Sequence, residues 1–425
     1  MRRRSLLMSL TGLALSLACN KPEAKVATKA SPSIRPAASL ASSAAPAPRP
    51  VPEPATEIAP LDRAHQPEMH THRHTPLEVC RSPDDPLGAA RRLYDAGRFA
   101  QALPCAAQAT AFYPDLPQAH SEKGAALSAL GRFEEAELAY ARALALAPDH
   151  PDALLGAAHL YAVSLPSTRD HDELAVVYAQ RGAARAQADG DTELVEQFAL
   201  IASMALNDLG RGAEALARAE EGLRLDKGNP EAAYERAVAL FELCRFPEAK
   251  AAFSALLSDP ERGAHAHHHL GLILEREGRI AQAEAHFKAA RRLAPEDFPE
   301  PQLLPPREFK AEIERAVAEL PEDMRRDLVG VPVMAEDLPR DEDLLGGDPP
   351  LSPTILGLFR GPPIGERCDA PPGQKCRSVA LYRRNLARAV QSRKELSEQI
   401  RVTLLHEVGH LRGEDDLELA ARGLE

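Results

Sequence analysis

Apolar positions change their pattern four times along the chain. Leu6–Ala18 is an apolar run of 13 residues, too short to cross a bilayer. Residues 20–82 have no periodic apolar face and are rich in Ala, Pro and Ser. Such a chain cannot bury enough surface to fold, so the pattern predicts a semi-extended tether spanning roughly 45 Å or more. From 83 to 297, Ala- and Leu-rich stretches recur at helical spacing between short turns. From 306 to 425 the pattern is mixed. Pro306–Leu320 places Phe309, Ile313, Ala316, Val317 and Leu320 three and four apart, predicting a helix. Val329–Glu336, Thr354–Arg360 and Arg377–Arg383 read as strands. Leu396–Leu411 reads as a helix ended by Gly413 in the left-handed C-cap role, and Asp416–Ala421 as a short final helix. The chain is therefore multi-domain, an all-α solenoid followed by a small α+β domain.

The middle region repeats itself. Gly97, Gly131, Gly210 and Gly278 are each followed five residues on by Ala102, Ala136, Ala215 and Ala283, and nine on by Ala106, Tyr140, Ala219 and Phe287. Unit starts fall at Pro83, Pro117, Pro151, Glu196, Pro230 and Ala264. Four steps are 34 residues and one is 45, with an insertion around Ser164–Glu173. This register resembles the tetratricopeptide repeat, a helix–turn–helix unit that buries its apolar face only by stacking on its neighbours. The resemblance implies a concave face that binds an extended peptide or a helix, the alternative being a spacer or dimerisation element. His265, His267, His268 and His269 lie on the first helix of the last unit and do not all face one way. They read as solvated or groove-lining rather than as a metal site.

Composition narrows the function. With 51 Lys+Arg against 63 Asp+Glu the formal net charge is −12, which excludes the basic footprint of a nucleic-acid binder. Aromatics are 4% and Trp is absent, against a base-stacking platform. Prolines number 11 in residues 20–82, 11 in 83–294 and 15 in 295–372, which marks the long middle stretch as the helical body. Met1-Arg2-Arg3-Arg4 before the apolar run is the pattern of an export signal over residues 1–19. Ser16-Leu17-Ala18-Cys19 resembles the lipobox of bacterial lipoproteins, in which the Cys becomes the lipidated N-terminus and anchors the protein to the membrane. It departs from that pattern in having Ser16 where Leu is usual. The alternative is ordinary cleavage nearby. His65, His70, His72 and His74 in the tether read as incidental to a polar linker. An oxidising envelope permits disulfides, with Cys368–Cys376 and Cys80–Cys105 as the candidate pairs and Cys244 left over. No C-x-x-C pair exists, against a cysteine zinc site.

The candidate chemistry sits on the last long helix. In His406-Glu407-Val408-Gly409-His410 the two imidazoles are one turn apart on one face and reach one ion. Glu407 points to the open coordination position, where it can take a proton from the attacking water. Gly413 turns the chain, and Asp416 falls where a third ligand returns to the metal. The resulting H-E-x-x-H-x-x-G-x-x-D pattern, with Val331-Pro332-Val333, Glu336-Asp337-Leu338-Pro339, Gly357–Gly361, Leu381–Arg384 and Arg401-Val402-Thr403, resembles the small bacterial zincin-like metallopeptidases described as minimal matrix-metalloprotease-like domains. That resemblance covers about 308–425. It implies a zinc ion held by His406, His410 and Asp416, with Glu407 as base, in a peptidase acting on a peptide or protein substrate. Leu411-Arg412 stand where relatives carry bulkier residues, no Met follows Asp416 to form a Met-turn, and the Cys368/Cys376 loop looks like an addition. Tyr382 reads as a buried structural tyrosine rather than an oxyanion donor, and the strand at 354–360 as an edge for substrate. The reading that competes with an envelope peptidase is a scaffold lipoprotein working through its repeats, with a near-inactive zincin domain. Five prolines in Pro295–Pro306 predict a boundary across which the two parts work independently.

Overall fold

The computed structural model describes residues 80, 84–368 and 375–424. Cys19, the export signal, nearly all of the tether and its four histidines lie outside the described residues. Six helical hairpins come first: α1 Pro86–Asp95 with α2 Phe99–Phe112, α3 Pro117–Ala129 with α4 Phe133–Leu146, α5 Pro151–His159 with α6 Arg169–Asp189, α7 Thr192–Asp208 with α8 Gly212–Leu225, α9 Pro230–Glu242 with α10 Phe246–Ala255, and α11 Gly263–Arg276 with α12 Ile280–Leu293. Proline at the first turn of α3, α5 and α9 removes an N–H that has no helical partner there. The 45-residue step is accounted for by a π-helical turn at Leu160–Ser164, an irregular stretch, and the 21-residue α6. Small and large positions interlock: the Tyr140 ring fills the space where Gly124 and Gly156 of the neighbouring helices carry no Cβ. Cys80 and Cys105 are joined by a disulfide at the start of the array.

The second part contains α13 Pro306–Glu319, α14 Glu322–Asp327, β1 Val333–Glu336, α15 Asp341–Leu344, β2 Gly357–Arg360, β3 Ser378–Tyr382, α16 Arg383–Arg388, α17 Arg393–Arg412 and α18 Asp416–Ala420. The sheet order is β1-β3-β2, with β1 parallel and β2 antiparallel to β3. Alternation along β3 divides its side chains between two cores. Val379 and Leu381 join Phe309 and Ile313 of α13 and Leu404 and Val408 of α17. Ala380 and Tyr382 face the other way, with Leu344, Ile355 and Leu358. Tyr382 is fully buried there, a structural tyrosine.

The second face of the sheet is covered by the repeat array. Cys244 and Phe246, at the turn between α9 and α10, pack against that second cluster. Cys244 has φ 57°, and it stands in the place where the turns of four other units carry Gly97, Gly131, Gly210 and Gly278 at φ 69–73°. A side chain in this left-handed conformation is strained. Here it reaches across, its Sγ 3.7 Å from the Leu351 carbonyl. Glu275 of α11 is buried between Arg384 and Arg388 of α16: Arg384 donates to Oε1 at 2.5 Å, and Arg388 to both oxygens at 2.7 Å. Arg276 donates to the Pro339 carbonyl at 3.1 Å and pairs with Asp341, and the Arg388 guanidinium lies 4.7 Å over the Phe287 ring.

Residues 295–305 hold no helix, but they are packed rather than free. Gln302 N–H donates to the Ala387 carbonyl, Arg383 donates to the Leu304 carbonyl at 2.7 Å, and Leu304 enters the core. Contacts therefore bridge the boundary expected there.

Candidate metal centre

α17 begins with Ser392 as N-cap, its hydroxyl accepting from Glu395 N–H, and ends at Gly413 with φ 91°. The Gly413 and Glu414 amides donate back to the His410 and Gly409 carbonyls at 2.9 and 3.0 Å. This reversal turns the chain toward α18, where Asp415 and Glu418 form a capping box and Asp416 occupies the first turn.

His406, His410 and Asp416 are the group of three or more ligand-type side chains that converges among the described residues. His406 Nε2 and His410 Nε2 are 2.9 Å apart, and Asp416 Oδ1 lies 3.5 and 3.2 Å from them. Two ligands about 2.05 Å from one ion at a tetrahedral angle stand about 3.3 Å apart, so the donor set has the bite that zinc requires. The tautomers agree with this. His406 Nδ1 lies 2.5 Å from the Leu424 carbonyl and His410 Nδ1 3.0 Å from the Glu414 carbonyl. A carbonyl only accepts, so each Nδ1 carries the proton and each Nε2 presents a lone pair. Two lone pairs and a carboxylate oxygen facing one another at these distances repel unless a cation lies between them.

Glu407 is completely buried, and neither of its oxygens has a well-aligned hydrogen-bond partner. Burial pushes its carboxyl above the ordinary range, Asp416 adds to that, and the two imidazoles and the Phe359 amide of β2 oppose it. β2 can pass this close to α17 because Gly357 has no side chain: a Cβ there would stand 2.7 Å from Thr403 Cγ2 and 2.9 Å from Glu407 Oε1. Cys368 and Cys376 form a disulfide in the connection between β2 and β3. Arg377 secures the start of that loop by donating to the carbonyls of Pro362, Pro363 and Glu366.

The histidines of α11 are elsewhere; of the two alternatives, solvated or groove-lining, full solvation is corrected for His265, His268 and His269, while His267 is half-buried beside His286. His265 is buried, His269 stacks on Phe253 at 4.5 Å and His268 on Phe298 at 4.7 Å. Burial pushes His265 and His269 down to about 4; they are aromatic packing elements. Three features of the site lay beyond the sequence reading: the Leu424 carbonyl, the Gly357 gap and the covered face of the sheet. A glycine opposite an H-E-x-x-H helix is a legible signal once the strand is placed; a backbone carbonyl carries none.

Residues 328–424 match the family model described as zincin-like metallopeptidase. Residues 117–150, 206–273 and 264–297 match tetratricopeptide repeat models. The chain thus carries tetratricopeptide repeats followed by a C-terminal zincin-like metallopeptidase domain. Similar solved structures include pilF of Pseudomonas aeruginosa, with 18% identity, 54% of this chain and 97% of that chain covered, and a TM-score of 0.41. A tetratricopeptide repeat protein of Parabacteroides merdae has 16% identity, coverages of 58% and 91%, and a TM-score of 0.40. A thermophilic tetratricopeptide repeat protein of Thermus thermophilus has 19% identity, coverages of 48% and 99%, and a TM-score of 0.34. No curated protein matches the chain.

Proposed function

We propose that this chain is a zinc-dependent peptidase held at the cell envelope, whose repeat array recruits a substrate or a protein partner. The observation that carries the reading is the convergence of His406 Nε2, His410 Nε2 and Asp416 Oδ1 beside the buried Glu407 carboxylate. Zinc at such a set supplies a Lewis acid and makes water a nucleophile at neutral pH. Glu407 takes the proton from the attacking water and returns it to the leaving amine. Arg360, at the end of β2, is held by both oxygens of Glu336 and both of Asp343, which fixes the strand beside α17. On the side away from β3, β2 has no strand partner among the described residues. An extended peptide adding there is held by backbone hydrogen bonds, with specificity left to its side chains.

The purified chain should take up about one zinc ion, and His410→Ala should abolish uptake because two remaining donors do not hold zinc at neutral pH. Elemental analysis after reconstitution and desalting measures this. A wild type that stays metal-free removes the proposal.

Envelope residence is supported by Met1–Arg4, the apolar run and Cys19. Among the described residues no helix is long and apolar enough to cross a membrane; the proposed anchor is the lipid on Cys19. Cys19→Ala should move the protein out of the membrane fraction or block its maturation. Recovery of the variant in membranes at the wild-type level excludes the anchor.

A further inference from the structure

We infer that α18 and the turn that ends it act as a clip on the metal centre, and that Gly423 is the positioning residue of that clip. The inference rests on the zinc-peptidase reading and goes beyond its ligand set. One short segment serves the site at both ends. At its start, the capping box of Asp415 and Glu418, with bonds of 2.9 and 3.0 Å, fixes the turn from which Asp416 reaches the imidazoles. At its end, Gly423 N–H donates to the Ala420 carbonyl at 2.9 Å and Leu424 N–H to the Leu419 carbonyl at 3.1 Å. That reversal aims the Leu424 carbonyl at His406 Nδ1. Between the two ends, the fully buried Leu419 fills the space over Gly409 of α17, where a Cβ would collide with it. The clip is thereby registered on the helix that carries both histidines.

The carbonyl matters because the bond from Nδ1–H sets the His406 tautomer, fixes the ring plane and makes Nε2 a better donor to the metal. The glycine matters because the reversal requires φ +70° at residue 423, a conformation that branched side chains reject and Asn tolerates best. A Cβ on residue 423 would have no heavy atom within 4 Å. A substitution there therefore acts through the backbone and not through a collision, and it leaves every ligand in place.

The test compares the full chain with Gly423→Val, Gly423→Asn and Leu424→Ala. The readouts are the zinc dissociation constant, from competition with a chromophoric chelator, and the visible spectrum of the cobalt-substituted protein. Gly423→Val should weaken zinc roughly 10- to 100-fold and shift the cobalt bands, because the His406 ring loses its orienting acceptor. Gly423→Asn should bind within about threefold of wild type, since Asn can hold the left-handed turn. Leu424→Ala should also stay within about threefold, because it keeps the carbonyl while losing the side chain. Gly423→Val that binds like wild type overturns the inference. So does Leu424→Ala as weak as Gly423→Val, which assigns the effect to packing. If Gly423→Val fails to fold by circular dichroism, the Asn and Leu424→Ala variants decide: both near wild type support the clip, and a Leu424→Ala loss of tenfold or more overturns it. A wild type that binds no zinc fails the underlying reading instead, which is a different result from any of these.

Discussion

Glu275→Ala, in the last repeat and outside the metal centre, is expected to destabilise the chain by about 3–5 kcal/mol and to reduce peptide hydrolysis with it. The Glu275 side chain is 2% exposed, and its partners Arg384 and Arg388 are 18% and 17% exposed. Removing the carboxylate leaves two largely desolvated guanidinium groups facing a cavity: among the described residues Arg384 keeps only the half-exposed Asp337 at 3.4 Å and Arg388 only the Phe287 ring. That costs more than a surface pair is worth, since exposed pairs contribute about 0–1 kcal/mol. Glu275→Gln keeps one acceptor oxygen and should cost clearly less. Denaturant unfolding of the full chain, with hydrolysis of a short unstructured peptide as the second readout, separates the cases. A Glu275→Ala chain with wild-type stability would mean that α11 and α16 do not hold each other. The same contacts predict that deleting residues 83–297 leaves a remainder that does not fold. Leu344, Ile355, Leu358, Ala380 and Tyr382 would then lose the cover of Cys244 and Phe246, and a one-sided apolar sheet face of that kind aggregates. Soluble, active fragment from such a deletion would restore the picture of two independent parts.

What the sequence made legible follows from which features leave a periodic or compositional trace. The repeats did, because each unit must set small residues opposite large ones at a fixed spacing, as Gly124 and Gly156 do around Tyr140. α17 did, because its helical pattern runs over 20 residues; the strands did as short stretches between turn residues, although β2 and β3 are buried on both faces and do not alternate. β1, β2 and β3 lie inside the predicted stretches but are shorter, 4–5 residues each. α14, α15 and α16, of 4–6 residues, are too short to show a period and were not expected. The interface was hidden for another reason. Glu275 reads as one more charge on an amphipathic helix, and the prolines of 295–306 read as a domain boundary. Neither pattern distinguishes a solvated charge from one facing two arginines of another element. Cys244 is the exception that sequence offered: it replaces glycine in a turn where four other units keep it, and the strain of that exchange marks a contact.

Glu407→Gln is expected to lower kcat/KM by roughly 10²–10⁴-fold, the range that general acid–base catalysis contributes, while zinc uptake stays within a few-fold of wild type. The two halves of the expectation come from separate observations. His406, His410 and Asp416 converge without Glu407, so the metal should not need it. Glu407 is wholly buried, with neither oxygen well bonded, so the fold should not need it either. An ionised carboxylate without full hydrogen bonding in an apolar setting costs stability, and sites of this kind trade stability for chemistry. The metal-free Glu407→Gln chain should accordingly melt at or above the temperature of the metal-free wild type. Gln is the informative substitution because it preserves volume, whereas Ala would add a cavity and confuse the comparison. Three readouts taken together fix the role: peptide hydrolysis, zinc content, and calorimetric melting of the metal-free forms. Loss of zinc in step with activity would make Glu407 a ligand. A large drop in melting temperature would make it a structural residue. Retained hydrolysis would leave the proton transfer without its base.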